Sequence, residues 1–441
     1  MTDTPSRHAP VTVIGAGFSG TMVAAHLARR GIESVLVEGG GRAGQGTAFS
    51  TPDPSHLLNV PAGNMSAWPD RPADFAERQA PEPGSFAERR QFGRYLRNLL
   101  DEAVASRCAQ LVEGRAIAAV REGACWKVRL EDGGTILSDA LVLATGNQPP
   151  APLPFAEQAG DRLIDNPWGA RAREAIDQAV GKGLDVLILG TGLTMVDVVL
   201  SLDSAGHRGG ILALSRRGLV PKSHDSYEAA PVTWDEIPAG SLREILRWLR
   251  QRSGTTGWRA AIDSLRPHTQ RLWQSLGMAD KQLFLRHARP WWDVHRHRIA
   301  PEVARRLSAL VDEGRLQIIA GRVSSVDRTG QGVEVVIRRR RNNGPPERRS
   351  FGYIFNCTGP LGEIGRTRDP LLRQMLDDGL VSADELGIGL AVDGRSRSEN
   401  SPWLWALGAL TKGRYWEIIA VPDIRHQAAE VAQDIATELG R

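Results

Sequence analysis

The stretch Val11-Thr-Val-Ile-Gly15-Ala-Gly17-Phe-Ser-Gly20 places three glycines directly after an apolar run. A second stretch, Val186-Leu-Ile-Leu-Gly190-Thr-Gly192-Leu-Thr-Met195, repeats the pattern with methionine in place of the third glycine. In a strand–turn–helix unit the first glycine permits the tight turn and the second lets the backbone approach a pyrophosphate, while the third lets the helix pack on the strand. The sequence therefore predicts an α/β fold with two Rossmann-like dinucleotide-binding domains.

The first unit has every part of a dinucleotide site in the expected order. Val11 to Ile14 is predicted to form a buried strand, and Thr21 to Arg30 a helix whose positive N-terminus faces the phosphates. A second strand, Ser34 to Val37, is followed by Glu38, where a carboxylate can bond the hydroxyls of a ribose. FAD and NAD both carry a free 2′-hydroxyl, so the acid alone does not distinguish them. The second unit lacks such an acid and favours a 2′-phosphate, so FAD is assigned to the first unit. The predicted FAD contacts in this unit are Gly15, Gly17, Gly20 and Glu38.

The second unit lacks the acid. A strand is predicted over Leu184 to Leu189, a helix over Thr194 to Ser204 and a further strand over Ile211 to Leu214, which is followed by Ser215-Arg216-Arg217. A carboxylate there would repel a 2′-phosphate, whereas two guanidiniums can clamp it. The pattern favours NADPH over NADH, although a solvated strand end would carry the same arginines. The predicted contacts are Gly190, Gly192, Thr194, Arg216 and Arg217.

Two small-residue turns predict where the chain passes between domains. Ala140-Leu-Val-Leu-Ala-Thr145-Gly146 ends the first part of the FAD domain, and Ile354-Phe-Asn-Cys-Thr358-Gly359-Pro360 marks the return. The FAD domain is thus predicted to comprise residues 1–165 and 351–441, with the NAD(P)H domain, residues 166–350, inserted between them. Thr145 and Gly146 join the predicted FAD contacts.

Residues 220–300 depart from the α/β pattern and are predicted to form a helical insert. The insert is rich in tryptophan, which favours core filling, and arginine and histidine are interleaved with it. The alternative is a cap over the flavin that holds an acidic substrate or the NADPH phosphates. His295 and His297 lack a third ligand at fitting spacing, so no metal is predicted. The tryptophans are Trp234, Trp248, Trp258, Trp273, Trp291 and Trp292.

Composition narrows the function classes. The 441 residues carry a net charge of +4, and the densest basic run, Arg338 to Arg341, is interpreted as a hairpin tip rather than a nucleic-acid surface. No apolar run approaches the ~20 residues that cross a bilayer, and the N-terminus lacks the apolar core of a signal peptide. The three cysteines are too scattered to predict a disulfide framework or a metal cluster. We expect a cytoplasmic protein that binds neither nucleic acid nor membrane.

Further motifs resemble those of an FAD-NAD(P)-binding family of two-dinucleotide-domain flavoproteins, related to class B, N-hydroxylating flavin monooxygenases. They are Gly46-Thr-Ala-Phe49, His56-Leu-Leu-Asn-Val-Pro61-Ala-Gly-Asn-Met65-Ser66, Gly190-Thr-Gly-Leu-Thr-Met-Val-Asp197, Trp292-Asp-Val-His295-Arg-His297-Arg298 and the tail from Leu407 to Arg425. The resemblance implies that Asn59, Met65 and Ser66 lie along the flavin. It also implies that Gly408 and Pro422, the latter in the first turn of a helix predicted over Val421 to Leu439, lie at the flavin. Gly408-Ala409 departs from the Gly-Asp of many relatives.

The resemblance and the absence of a close cysteine pair together favour one chemistry. They predict an oxidoreductase that uses FAD and NADPH. The favoured activity is that of a single-component monooxygenase, which uses molecular oxygen to oxygenate a nitrogen or another soft nucleophile. The substrate is expected to be a small molecule, possibly an acidic one. The alternatives are an NAD(P)H reductase that passes electrons to a small acceptor, and a non-catalytic flavin-binding redox sensor. No residue pattern indicates a catalytic acid or base, a particular substrate or an oligomeric state.

Overall fold

Two seven-stranded sheets form the framework of the protein in the computed structural model, which describes residues 7–79, 82–238, 240–341 and 344–440. Both sheets combine parallel and antiparallel strands, and each glycine fingerprint follows a central parallel strand. The predicted fold class, two Rossmann-like units with a helical insert, is confirmed.

The first sheet is built from the two ends of the chain. Its strands are β1 (Arg7–Ile14), β2 (Ser34–Glu38), β3 (Ala109–Glu113), β4 (Ala116–Glu122), β5 (Cys125–Leu130), β6 (Thr135–Leu143) and β14 (Leu404–Ala406). Their order is β3-β2-β1-β6-β5-β4, and β14 pairs with the carboxyl-terminal residues of β6. The strands β3, β2, β1, β6 and β14 are parallel, whereas β5 and β4 return as an antiparallel meander.

The second sheet lies between these parts of the sequence. Its strands are β7 (Leu163–Ile164), β8 (Val186–Leu189), β9 (Ile211–Ser215), β10 (Leu316–Arg328), β11 (Val333–Arg339), β12 (Glu347–Phe351) and β13 (Tyr353–Asn356). Their order is β12-β11-β10-β9-β8-β13-β7. The pairing of β11 with β12 confirms the hairpin predicted at the basic run, although Asn342 and Asn343 lie outside the described residues.

Helices cover both faces of the sheets and form the insert. They are α1 (Phe18–Ala28), α2 (Gly46–Phe49), α3 (Asp74–Gln79), α4 (Arg89–Ala105), α5 (Ala156–Ala159), α6 (Ala170–Lys182), α7 (Leu193–Ser204), α8 (Leu242–Thr256), α9 (Trp258–Ser264), α10 (Thr269–Ser275), α11 (Met278–Leu283), α12 (Arg289–Arg296), α13 (Pro301–Asp312), α14 (Pro370–Asp377) and α15 (Val421–Glu438). A π-helical turn, Phe284–Ala288, joins α11 to α12.

The buried strands explain why the chain folds this way. Val11 to Ile14 of β1 are all 5% exposed or less, as expected for a parallel strand with both faces covered. One face packs against α1, α4 and α15, and the other against the β4–β5 meander and α14. The central strands β8 and β9 of the second sheet are likewise covered on both faces. Each fingerprint therefore stands at the carboxyl end of a rigid strand.

The insert has a small core of its own. Leu242 and Ile245 of α8 pack with Trp273 of α10, and Trp416 from the chain before α15 completes this cluster. The indoles of Trp273 and Trp416 are stacked with their centroids 4.8 Å apart. The helical character predicted for residues 220–300 is thus observed, whereas the domain boundaries at 165 and 350 stay predictions.

Candidate functional site

The first fingerprint forms a turn in which two of the three glycines are required by close backbone contacts. Gly15 has φ +99°, and a Cβ atom there would lie 2.4 Å from the carbonyl oxygen of Ala144. A Cβ atom at Gly20 would lie 1.8 Å from the carbonyl oxygen of Gly15. Gly17 differs, because its Cβ atom would meet nothing closer than 3.6 Å. Gly15 and Gly20 thus fix the turn, whereas a Cβ atom at Gly17 would make an ordinary van der Waals contact with Gly46.

Gly17 lies at the N-terminus of α1. Gly17 is the N-cap residue of α1 and supplies no side-chain hydrogen bond, and the first turn contains no acidic residue. The uncapped backbone N–H groups give the helix end a partial positive charge, which suits a phosphate.

The carboxylate of Glu38 lies beside the same turn. It accepts hydrogen bonds from the backbone N–H of Ala16, at 3.0 Å, and from that of Gly40, at 2.7 Å. Each carboxylate oxygen keeps a lone pair for a further donor, so a ribose hydroxyl fits at this position. Thr145 is close by, at the end of β6, and its buried hydroxyl has no hydrogen-bond partner among the described residues.

The second fingerprint repeats this geometry. Gly190 has φ +104°, and a Cβ atom there would lie 2.0 Å from the carbonyl oxygen of Cys357. Gly192 is the N-cap residue of α7 and has nothing within 4 Å of its Cβ position. Met195 stands where the third glycine is missing and is fully buried in the core.

The two small-residue turns noted in the sequence have the same structural role. The chain after β6 crosses directly over Gly15, and the chain after β13 crosses over Gly190. Gly146 and Gly359 then have φ of +73° and +93°, which turns the chain away from each fingerprint. The paired motifs therefore form two equivalent strand exits.

A cavity of about 1100 Å³ extends from the second fingerprint to the helical insert. It is lined by the turn from Gly190 to Thr194 and by Arg216 after β9. Arg322 on the neighbouring strand β10 also lines it, whereas Arg217 does not. In the register of β9 and β10, Ser215 pairs with Ala320, which brings Arg216 and Arg322 to the same end of the sheet.

The opposite end of the cavity is formed by α12 and by the chain before α15. Arg289, Asp293 and His297 line it from the insert, and Lys412 and Glu417 from the segment before α15. Spacing in the sequence did not single out Lys412 or Arg322, because the fold brings these residues to the cavity from separate elements. The local signals for this wall were the motif that contains Asp293 and His297 and the tail motif that contains Glu417.

Burial shifts the proton affinities of three of these groups. It lowers the pKa of Lys412 to about 8, and the nearby Arg289 lowers it further in the same direction. Burial lowers the pKa of His297 and raises that of Asp293. The charged forms of all three groups are therefore disfavoured, and Lys412 can gain or lose a proton near neutral pH.

Glu417 joins the insert to the segment before α15. Its side chain is 5% exposed, accepts hydrogen bonds from the indole N–H of Trp292 and from Nε of Arg296 (3.0 Å), and lies 3.7 Å from Nε2 of His297. The backbone of Glu417 has φ +67°, a conformation that costs a non-glycine residue energy and is retained because these contacts hold it. The carboxylate of Glu417 therefore holds the insert and the segment before α15 together at this wall of the cavity.

The residues predicted to lie along the flavin occupy three environments. Met65 is buried, and the hydroxyl of Ser66 is bonded to the carbonyl oxygens of Trp68 and Arg71, whereas the carbonyl of Asn59 accepts from Nε2 of His224. The hydroxyl of Ser66 and the backbone carbonyl of Asn59 are therefore engaged within the protein, and Met65 can contribute only its shape.

Gly408 and Pro422 lie together with the N-terminus of α15. Gly408 has φ +64°, and its N–H donates to Oε1 of Gln427 at 2.8 Å. Pro422 is in the first turn of α15, as predicted, and the neighbouring Asp423 has a buried oxygen without a partner among the described residues. Burial raises the pKa of Asp423. A hydrogen-bond donor on a ligand at this helix end would therefore offset the free-energy cost of burying the unpaired carboxylate oxygen.

Two motif residues lie where the two sheet units meet. Nε2 of His56 is 3.0 Å from the carbonyl oxygen of Asp197 and 3.0 Å from the hydroxyl of Ser201, both on α7. The Asp197 carboxylate is bonded in turn to Arg89 of α4. His56 and Asp197 therefore join the two units rather than line the cavity.

Comparison with known proteins supports the cofactor class. Residues 12–148 match a family described as FAD-NAD(P)-binding, which confirms the resemblance for the first unit. No curated protein sequence matches the chain. Among the described residues, none of the helices is long and apolar enough to cross a membrane.

Solved structures share the fold over nearly the whole chain. An ornithine hydroxylase from Pseudomonas aeruginosa has a TM-score of 0.68 at 15% identity, with 98% of this chain and 100% of that one covered. The ornithine N-hydroxylase from Kutzneria sp. 744, solved with reduced FAD, NADP⁺ and L-ornithine, has a TM-score of 0.67 at 16% identity, with 99% and 100% covered. Thioredoxin reductase from Lactococcus lactis has a TM-score of 0.54 at 15% identity, with 97% and 98% covered. At these identities the likeness establishes the fold alone.

Proposed function

We propose that this protein is a single-component, NADPH-dependent flavin monooxygenase that oxygenates a nitrogen or another soft nucleophile of a small molecule. The observation that carries the proposal is the cavity that connects the second fingerprint with the helical insert, because it gives one space to a nicotinamide and a substrate. Solved N-hydroxylases of the same fold, with TM-scores of 0.67 and 0.68 against 0.54 for the thioredoxin reductase, are in line with this choice.

The first turn would hold FAD. The lack of a side chain at Gly17 and the uncapped N-terminus of α1 suit its pyrophosphate, and the carboxylate of Glu38 suits its ribose. The residues assigned to FAD are Gly15, Gly17, Gly20, Glu38, Asn59, Met65, Ser66, Thr145, Gly146, Gly408 and Pro422.

The second turn would hold NADPH through Gly190, Gly192 and Thr194. Arg216 stays the candidate for the 2′-phosphate, and Arg322 joins it because both line the cavity and neither has an ion-pair partner among the described residues. Arg217 does not line the cavity, so we assign it a lesser role than the sequence pattern did.

The chemistry proposed requires little from the protein beyond positioning. Bound FAD would supply the two-electron transfer from NADPH to molecular oxygen. One oxygen atom is transferred to the substrate, and the other leaves as water with two protons. A nitrogen reacts with its lone pair free, and Lys412, whose pKa burial lowers to about 8, is a group of this cavity that can exchange a proton with an amine substrate.

The cysteines argue against the function of the disulfide reductases that share this fold. Cys108, Cys125 and Cys357 are all free, and Cys357, the nearest to the second fingerprint, is buried. Burial raises the pKa of the Cys357 thiol, so it is held as an unreactive thiol. Thiol–disulfide exchange therefore has no cysteine pair to use.

The test is anaerobic reduction of the FAD-loaded protein by NADPH, followed by rapid mixing with oxygenated buffer with and without candidate amines. We expect fast loss of the yellow flavin absorbance, and hydrogen peroxide release that falls as an amine substrate is oxygenated. One peroxide per NADPH with every amine, together with fast reduction of a quinone, would instead establish a reductase. A flavin that NADPH does not reduce would overturn the proposal and favour a redox sensor.

A further inference from the structure

Three metal-ligating side chains meet on the first sheet, away from both fingerprints. They belong to His8 of β1, Cys125 at the start of β5 and Asp139 of β6. Nε2 of His8 lies 3.2 Å from Oδ1 of Asp139, and Sγ of Cys125 lies 3.9 Å from the same nitrogen and 3.8 Å from the same oxygen. The three ligand atoms thus form a nearly equilateral triangle.

The sheet register produces this triangle. Because β5 and β6 are antiparallel and Trp126 pairs with Ser138, Cys125 stands opposite Asp139. Because β1 and β6 are parallel and His8 pairs with Leu137, His8 reaches Asp139 on the diagonal of the same face. Three adjacent strands therefore hold the ligands, with no flexible loop between them and the sheet.

We propose that His8, Cys125 and Asp139 bind a divalent cation of the zinc class. Thiolate, imidazole and carboxylate are the donors that Zn²⁺ uses, at about 2.0–2.3 Å from the metal. Ligand atoms that surround such an ion lie three to four ångströms from one another, which is the spacing of this triangle. Within the described residues the group has three members, so a fourth position is open to water.

A surface ion pair between His8 and Asp139 explains only part of this arrangement. It accounts for the 3.2 Å contact, since both side chains are about half exposed. The thiol has no role in such a pair, although the sheet register places it equally close to both partners. A metal site accounts for all three side chains at once, because a cation would compensate the thiolate and the carboxylate together.

The proposed site is independent of the proposed monooxygenase. The fingerprint follows the carboxyl end of β1, whereas His8 is near its amino end, six residues and roughly 20 Å away along the strand. A cation here would cross-link β1, β5 and β6 and stabilise the first sheet. It would also shield the Cys125 thiol from alkylation and oxidation.

The experiment uses the FAD-loaded full-length protein without a histidine tag, titrated with Co²⁺ and with Zn²⁺. We expect one Co²⁺ per chain, with the near-ultraviolet absorption of a cobalt–thiolate bond, displacement by Zn²⁺ and a higher unfolding temperature with metal. Loss of an outer-shell partner of a ligand already weakens metal binding by roughly 10–100-fold. Cys125→Ser and Asp139→Asn should therefore each weaken it at least tenfold.

The matched control is Cys108→Ser, since Cys108 is also free and partly exposed. This variant should bind Co²⁺ like the parent protein and keep the thiolate absorption. Absence of that absorption in the parent, or its persistence in Cys125→Ser, would overturn the proposal. Should Cys125→Ser fold poorly, Asp139→Asn and His8→Gln test the same site through side chains that are about half exposed.

Discussion

The guanidinium of Arg89 and the carboxylate of Asp197 form a two-bond ion pair where the two sheet units meet, with N–O distances of 2.9 and 3.0 Å. Arg89 begins α4 beside the first sheet, and Asp197 is on α7, which follows the second fingerprint. Their side chains are 11% and 5% exposed. The pair therefore fixes how the helix of the second fingerprint is set against the first unit.

Removing one partner of this pair should destabilise the protein strongly. Asp197→Ala leaves the Arg89 guanidinium buried and unpaired, which costs about 3–5 kcal/mol for buried pairs of this kind. We expect a loss of that order in the free energy of unfolding, measured by urea denaturation of the FAD-loaded protein.

The neighbouring Arg90 supplies the control. Arg90 is 43% exposed and, in the described part of the chain, pairs with Glu88 alone, so Arg90→Ala should lower the free energy of unfolding far less than Asp197→Ala does. A double variant, Arg89→Met with Asp197→Leu, should recover part of the loss, because neither charge is then left alone. Equal effects of Asp197→Ala and Arg90→Ala would show that the buried pair does not stabilise the junction.

The sequence predicted the parts of this structure that local patterns control. The two fingerprints, their strands and helices, and the acid at Glu38 follow from residues close together in the chain. The observed helices begin slightly earlier than predicted, at Phe18 and Leu193, because Gly17 and Gly192 are the N-cap residues.

Contacts between distant segments were beyond such patterns. Arg89 and Asp197 are 108 residues apart, and although Asp197 ends one of the motifs, no local pattern indicates that Arg89 is its partner. The same is true of Lys412 in the cavity wall and of the triangle formed by His8, Cys125 and Asp139. Three scattered cysteines predicted no metal cluster, because only the sheet register brings Cys125 to its partners.

Loss of the cationic groups at the second fingerprint should weaken binding of the 2′-phosphate selectively. We expect Arg216→Ala and Arg322→Ala each to weaken binding of 2′,5′-ADP by roughly tenfold or more, since charge-assisted hydrogen bonds contribute about 1.5–3 kcal/mol. Binding of 5′-AMP, which lacks that phosphate, should change little. Calorimetry with the two nucleotides measures both.

Arg217→Ala is the matched control for these variants, since Arg217 follows the same strand but does not line the cavity. It should leave both affinities near those of the parent protein. An equal loss for 2′,5′-ADP and 5′-AMP in Arg216→Ala would contradict recognition of the 2′-phosphate. A large loss of 2′,5′-ADP affinity in the single variant Arg217→Ala would instead support the role that the sequence predicted for Arg217 beside Arg216.

Substitution of Gly17 should separate flavin binding from folding. The backbone there has φ −74°, which any residue adopts, and a Cβ atom would meet nothing closer than 3.6 Å. Gly17→Val should therefore fold but place its side chain where a pyrophosphate would lie. We expect the variant to purify without colour. Circular dichroism measures whether it is folded, and flavin absorbance measures how much FAD it carries.

Two further glycine variants give this prediction its contrast. Gly20→Val should fail to fold, because its Cβ atom would lie 1.8 Å from the Gly15 carbonyl oxygen. Gly181→Ala, on an open face of α6, should fold and bind FAD normally. A yellow, fully loaded Gly17→Val protein would contradict the assignment of the first turn to FAD.

His26 should make the first unit sensitive to acid. It is 4% exposed on α1, packs edge-on against the Trp68 indole at 4.8 Å, and its Nε2 has no partner among the described residues. Burial, followed by the charges of Arg29 and Arg30, lowers the pKa of His26 from 6.5 to about 4, and the opposing effect of Asp70 is smaller. The folded protein therefore binds this proton less readily than the unfolded chain does.

The direction of the pH dependence follows from that difference. Above pH 6.5 His26 is neutral in both states and its contribution is complete. Between pH 6.5 and about 4 the unfolded chain gains the proton first, so the free energy of unfolding falls, by about 3 kcal/mol in total. His26→Gln should flatten this part of a stability–pH profile measured by urea denaturation, whereas His426→Gln, at an exposed position of α15, should leave it unchanged. An identical acid limb in the parent and His26→Gln proteins would show that other groups control the acid sensitivity.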